Sequence, residues 1–105
     1  MPNDDKVYAV KITDAAWTQM IEHARFLANV SAGAAERLID EFVQKTGELS
    51  RMPERCPWLV HGMMPFQKYR KSLFGKYHMA LFEIHDDTVY VAAVVDCRQD
   101  FGWLL

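Results

Sequence analysis

Lys68, Arg70, Lys71 and Lys76 fall in a stretch from Phe66 to His78 that contains no acid. Arg98 adds a guanidinium further on, and Tyr77 and His78 supply groups able to exchange protons. Paired N–H donors of arginine can clamp a phosphate, and a tyrosine or histidine beside it can serve as acid or base. The whole chain has 12 Lys and Arg against 14 Asp and Glu, a formal charge of −2. It is therefore no generic polyanion binder, and any anion contact must come from a local basic rim. The same residues also have a plain structural reading. Lysines blunt the edge of a hairpin. Arg70 and Arg98 pair with Asp96, Asp100 or Glu83 at the surface, worth roughly 0–1 kcal/mol. Tyr77 and Tyr90 pack a sheet, and His78 is a satisfied structural histidine at the end of an apolar face.

Other chemistry finds little footing. His23, His61 and His85 are scattered without HExxH spacing, and Cys56 with His61 is a coincidence of sequence, so neither a metal nor a cofactor is expected. No GxSxG, Walker or GxGxxG pattern occurs. Cys56 and Cys97 make no CxxC pair, which fits a reducing, cytoplasmic setting. The start, MPNDDKVYAV, is acidic and lacks a signal core, and no apolar run reaches membrane-spanning length.

The elements that must position these groups follow from periodicity. A chain of 105 residues, half of them hydrophobic, is expected to form a single domain over 1–105 with one core. Lys6 to Ile12 alternates as a strand, with Tyr8, Val10 and Ile12 on one face. Thr13 or Asp14 can cap a helix to about Asn29, striped by Trp17, Met20, Ile21, Ala24 and Leu27. Ser31 can cap a second helix carrying Ala35, Leu38, Ile39, Phe42, Val43 and Leu49, ending near Met52 because Pro53 disfavours helix before it. Residues 53–65 hold three prolines and a glycine and read as a loop that packs down through Trp58, Leu59, Met63 and Met64. The chain closes on QDFGWLL, whose Phe101, Trp103, Leu104 and Leu105 either pack on their own domain or meet a partner.

Phe66 to Arg98 reads as three strands with tight turns at Phe74-Gly75 and Asp86-Asp87. Two-residue loops set Arg70 opposite Met79, Lys71 opposite His78, Ile84 opposite Val89, Phe82 opposite Val91 and Ala80 opposite Ala93. One face then carries Tyr69, Ala80, Phe82, Ile84, Val89, Val91, Ala93 and Val95, for the helix hairpin to cover. Lys68, Arg70, Ser72, Tyr77, Met79, Leu81, Glu83, Tyr90, Val94, Asp96 and Arg98 fall on the other. A one-residue bulge would exchange the faces.

With AAERLIDEF in the second helix, LSRMPERCP at its exit and YRKSLFGKYHMALFEIHDDTVYVAAVVDCRQD after it, the chain resembles the RelE/ParE superfamily of toxins from bacterial toxin–antitoxin modules, which includes plasmid stabilisation proteins. The resemblance runs from about residue 7 to 104. It implies an α+β fold, β-α-α-β-β-β, with a helix hairpin on a mainly antiparallel four-stranded sheet. It also implies a cognate antitoxin whose C-terminal segment wraps the sheet and helices. Two activities occur in the superfamily: RelE-like members cleave mRNA on the ribosome, and ParE-like members inhibit DNA gyrase.

Metal-free RNA cleavage needs a base, an acid and cations on the phosphate. Arg70, His78 and Arg98 are the catalytic candidates under that alternative. RelE-like nucleases usually place an arginine where this chain has His78, and they are strongly basic, so the chain departs on both counts. The expectation is therefore a ParE-like toxin that acts by binding a target such as DNA gyrase and is neutralised by its antitoxin. The alternatives are a ribosome-dependent mRNA endoribonuclease and an inactive member that only binds an antitoxin. Lys68, Arg70, Tyr77, Met79, Leu81, Arg98, Phe101 and Trp103 are the candidate residues for target or antitoxin binding. Met79 and Leu81 qualify as apolar groups on the mixed, uncovered face.

Overall fold

The computed structural model describes residues 6–60 and 65–98. The tail residues Phe101, Trp103, Leu104 and Leu105, and with them Asp100, His61, Met63 and Met64, lie outside the described residues. Strand β1 (Ala9–Ile12) leads into helix α1 (Asp14–Ala28) and helix α2 (Ala32–Gly47). Two 3₁₀ turns (Glu48–Ser50 and Pro53–Arg55) follow, then β2 (Arg70–Phe74), β3 (His78–His85) and β4 (Thr88–Asp96). The sheet order is β1-β4-β3-β2, with β1 parallel to β4 and the other pairs antiparallel. The architecture is α+β, as expected: two helices packed on a four-stranded mixed sheet. No helix among the described residues is long and apolar enough to cross a membrane.

Local chemistry sets the helix boundaries. Thr13 Oγ1 accepts from the Ala16 amide at 3.2 Å and donates to the Val91 carbonyl at 2.9 Å, so one hydroxyl caps α1 and pins it to β4. Ser31 Oγ accepts from the Ala34 amide at 3.1 Å and caps α2. The second helix stops five residues short of the expected end at Met52: the chain tightens into a 3₁₀ turn at Glu48, and Met52 sits in the left-handed region at φ 49°. Pro53 is the first residue of the next 3₁₀ turn, where its missing N–H is no loss.

The helices cover one face of the sheet. Met20, Phe42, Phe82, Val89, Val91 and Val94 are buried together there. Phe42 stands at its centre, with ring centroids 5.3 Å from Trp17 and 5.3 Å from Phe74.

Two corrections to the expected register follow. The first hairpin loop has three residues, Gly75 to Tyr77, so that Phe74 pairs with His78 and Arg70 with Phe82. Gly75 takes φ +57° in that loop, and Phe74 is buried strand rather than turn. The second hairpin keeps Ile84 with Val89 and Phe82 with Val91, and then slips: Leu81 pairs with Ala93, so Ala92 is the extra residue of a bulge. Beyond it Val94 and Asp96 turn to the helix side, while Ala93 and Val95 turn away.

The face away from the helices is not left bare. Leu59, Met79, Leu81, Ala93 and Val95 form a second buried cluster, with Tyr69 packed against it. The chain around Trp58 runs beside β2, with the Leu59 amide bonded to the Tyr69 carbonyl at 2.7 Å and the Lys71 amide to the Pro57 carbonyl at 2.9 Å. Met79 and Leu81, expected to be exposed, are 5% and 0% exposed, packed with Leu59, Ala93, Val95 and Tyr69.

Candidate functional site

Polar side chains gather on the helix side at the end of the sheet where β3 begins and β4 finishes. His78, the first residue of β3, faces Asp96, the last of β4. His23 reaches the same place from α1, about one and a half turns before its end, with Nδ1 3.1 Å from His78 Nε2 and the rings crossing at 68°. On the other flank, Phe74 tilts against the His78 ring at 5.5 Å.

Arg98 closes the cluster from the residues after β4. Its Nε donates to Asp96 Oδ1 at 3.0 Å, its Nη2 to Oδ2 at 2.7 Å, and its backbone amide to Oδ1 at 2.8 Å. The guanidinium lies 4.1 Å from the Tyr77 ring centroid. These hydrogen bonds hold the buried Asp96 carboxyl down at about 2, so it stays an anion. Burial pushes the His78 imidazole below its ordinary value, and the neighbouring His23 and Arg98 push the same way against the opposing pull of Asp96. At neutral pH, then, the cluster holds a neutral imidazole beside a charge-balanced Asp96–Arg98 pair.

A cleft of about 470 Å³ opens over this group, lined by His23, Phe26, Leu27, Leu38, His78 and Arg98 among others. A second hollow of about 300 Å³ adjoins it past His78 and Arg98, between α2 and the first hairpin loop. The mouth is half apolar: Phe26 is 77% exposed at the end of α1, with Val30 exposed beyond it.

The family model described as the ParE toxin of type II toxin-antitoxin system, parDE, matches residues 10–101. The chain belongs to the ParE toxin family. Among solved structures, "Chromosomal ParDE TA system from P. aeruginosa" superposes with a TM-score of 0.69 at 11% identity, over 87% of this chain and 97% of that one. At that identity the likeness is one of fold. No curated protein sequence matches.

In this ParE-family chain the residues expected to carry chemistry divide into two groups. Tyr77, His78 and Arg98 meet in the cluster just described. Arg70 does not: it pairs with Phe82, four residues along β3 from His78, or about 13 Å away. Its Nη1 donates to the Glu54 carbonyl at 2.9 Å and the Cys56 carbonyl at 2.7 Å, and its guanidinium stacks 3.9 Å from the Trp58 ring centroid. Arg70 thus staples the 53–58 segment to β2 through backbone carbonyls rather than through Glu83 or Asp96, while Asp100 lies outside the described residues. Lys68 lies 3.8 Å from Glu83 and over the Tyr69 ring. Met79 and Leu81 are core, and Phe101 and Trp103 lie outside the described residues.

His23 and the facing position of Asp96 went unread in the sequence. The one available signal for His23 is its spacing, three residues after Met20 and four before Leu27, which sets it beside the buried stripe of α1. Asp96 could be placed only by knowing the bulge at Ala92.

Proposed function

We propose that this chain is the toxin of a type II toxin–antitoxin pair, that it inhibits growth by binding a target such as DNA gyrase rather than by cutting RNA, and that a cognate antitoxin neutralises it. Membership of the ParE family supports the toxin role. The observation that carries the binding mode is the engagement of both candidate phosphate clamps. Arg98 is held in a two-pronged ion pair by Asp96, and Arg70 is spent on two backbone carbonyls about 13 Å along the sheet. A carboxylate on Arg98 repels an incoming phosphate and competes for the same donors. His78 is neutral where RelE-like nucleases place a cation. A binding mode needs no such constellation and tolerates the net charge of −2.

The antitoxin reading rests on other apolar groups than the ones the sequence suggested, at the end of α1 and, on the opposite face of the sheet, on β2. Phe26 and Val30 at the end of α1, and Leu73 on β2, are large apolar groups open to solvent on a small protein. An amphipathic segment of a partner would cover them.

The test is induced expression in a bacterium, followed by gyrase supercoiling and ribosome-dependent mRNA-cleavage assays on one preparation. Inhibited supercoiling without mRNA cleavage is the expected result, with growth inhibition nearly intact in His78→Ala. Cleavage by the wild type that Arg98→Ala or His78→Ala abolishes would make the nuclease reading the right one.

A further inference from the structure

Three metal-ligating groups converge where the sheet meets α1. His23, His78 and Asp96 each offer one ligand atom, and these atoms all lie within 4.8 Å of one another. They come from three different elements, α1, β3 and β4, so linear spacing gives no hint of them. Ligand bonds of about 2.0–2.2 Å place neighbouring donors of a tetrahedral zinc site about 3.3 Å apart. His23 Nδ1 and His78 Nε2 stand at 3.1 Å, nearly that spacing already. The three groups as a whole lie within 4.8 Å, so the widest gap has to close by no more than about 1.5 Å.

Asp96 has a lone pair to give. Its Oδ1 accepts from both the amide and Nε of Arg98, which fills that oxygen. Among the described residues its Oδ2 accepts from Nη2 alone, which leaves one lone pair for an ion. Arg98 then does for the carboxylate what an outer partner does at a metal centre: it fixes the orientation of the ligand. The cleft of about 470 Å³ gives an ion a way in from solvent and leaves room for water at a fourth position.

The histidine pair is poorly explained as packing. The buried Nδ1 of His78 has no hydrogen-bond partner among the described residues. That atom stays unpaired whichever ring nitrogen carries the proton, with or without an ion on Nε2, so a histidine here costs stability that only a use of its other nitrogen offsets. A phenylalanine or leucine would fill the same space between Phe74 and α1 without that cost.

We propose that His23 Nδ1, His78 Nε2 and Asp96 Oδ2 bind one late first-row divalent transition-metal ion, of the class represented by Zn²⁺. Two imidazoles and one carboxylate suit zinc and its neighbours, whereas Mg²⁺ and Ca²⁺ prefer sites made wholly of oxygen. The bound ion ties α1 to the ends of β3 and β4, so it raises the thermal midpoint of the chain.

The test is calorimetric titration of the full-length, tag-free chain with ZnCl₂, repeated with CoCl₂ and read by visible absorption. One ion per chain is expected, with the absorption of a low-symmetry cobalt site and a raised midpoint. His23→Gln, at a half-buried helix position that need not disturb folding, should weaken binding by at least about tenfold. The double variant His23→Gln, His78→Gln should abolish it, with circular dichroism checking that both variants keep the fold. Cys97→Ser is the control, because that exposed thiol adjoins Asp96 and is itself a zinc ligand type. Unaltered binding in Cys97→Ser supports the site. Absence of a stoichiometric site, binding indifferent to His23→Gln, or binding lost in Cys97→Ser would overturn it.

Discussion

His78 faces Asp96 across the β3–β4 ladder because Ala92 is an extra residue on β4. Without that bulge, the pairing that holds from Ile84–Val89 to Phe82–Val91 would set His78 opposite Val95. Asp96 would then point into the apolar cluster of Leu59, Met79 and Leu81, and Val95 would enter the polar cleft. One inserted alanine therefore satisfies two environments at once. It sends a valine to a hydrophobic layer and a carboxylate to the arginine that keeps it ionised.

Phe82 is fully buried against the helices. Phe82→Ala should cost about 3–5 kcal/mol, the usual range for removing a buried ring. The measurement is the shift of the denaturant midpoint at unchanged slope, and a midpoint near the wild-type value would place Phe82 outside the core.

Arg70 acts here as a structural staple, so Arg70→Ala should cost about 1–3 kcal/mol through two lost charge-assisted bonds and lost stacking on Trp58. Amide exchange should rise at Leu59 and Lys71, whose bonds hold the same segment. Growth inhibition per folded molecule should stay constant. Full stability with lost inhibition would instead make Arg70 a target contact.

Gly75 and Gly47 should respond in opposite directions to alanine. At Gly75, φ is +57° and an added Cβ would stand 2.9 Å from Leu38 Cδ1, so Gly75→Ala should cost about 1–2 kcal/mol or more. Gly47 ends α2 in helical geometry with nothing within 4 Å of the added carbon, and Gly47→Ala should gain up to about 1 kcal/mol. Paired urea titrations decide it, and equal shifts at both positions would contradict the geometry.

The Tyr8 hydroxyl donates to the Glu54 carboxylate and holds it below its ordinary value. A carboxyl depressed on folding contributes stability above its unfolded value, about 4.3. That contribution fades as the pH falls through the lower folded value. Tyr8→Phe should therefore be less stable than the wild type above about pH 5, with the difference shrinking toward pH 3. Urea midpoints of the two proteins across this range give the answer, and a gap independent of pH would mean that the hydroxyl does not act through Glu54.

Periodicity made the helices legible, since their buried positions recur at three and four residues, as in Met20 and Ala24 or Leu38 and Phe42. The second hairpin was legible from its loop to Phe82, because Asp86-Asp87 fixes the register and Asp86 takes φ 55° as a turn aspartate can. Past Phe82 the run AAVVD does not alternate, so nothing in it marks Ala92 as surplus. The first hairpin was misread because Gly75 can open a longer loop as readily as close a short one. The three-residue loop shifts the pairing by an odd number and carries Arg70 to the side of Phe82. The cluster around His78 depends on that bulge and on the docking of α1 over β4, neither of which leaves a trace in local sequence. It was therefore legible only in part, through His78 and Arg98.

The pairing of β1 with β4 joins the two ends of the described chain in time as well as in space. Ala9 lies beside Thr88 and Ile12 beside Val91, and the Thr13 hydroxyl that caps α1 is bonded to the Val91 carbonyl. On the ribosome the first strand and both helices emerge well before the strand that holds them. A nascent chain that ends before Thr88 lacks one of the two central strands of the sheet and the floor on which α1 rests. Contacts this far apart in sequence also close slowly. A message broken or stalled ahead of that codon yields no assembled sheet, and the fold comes into being only once β4 has left the ribosome.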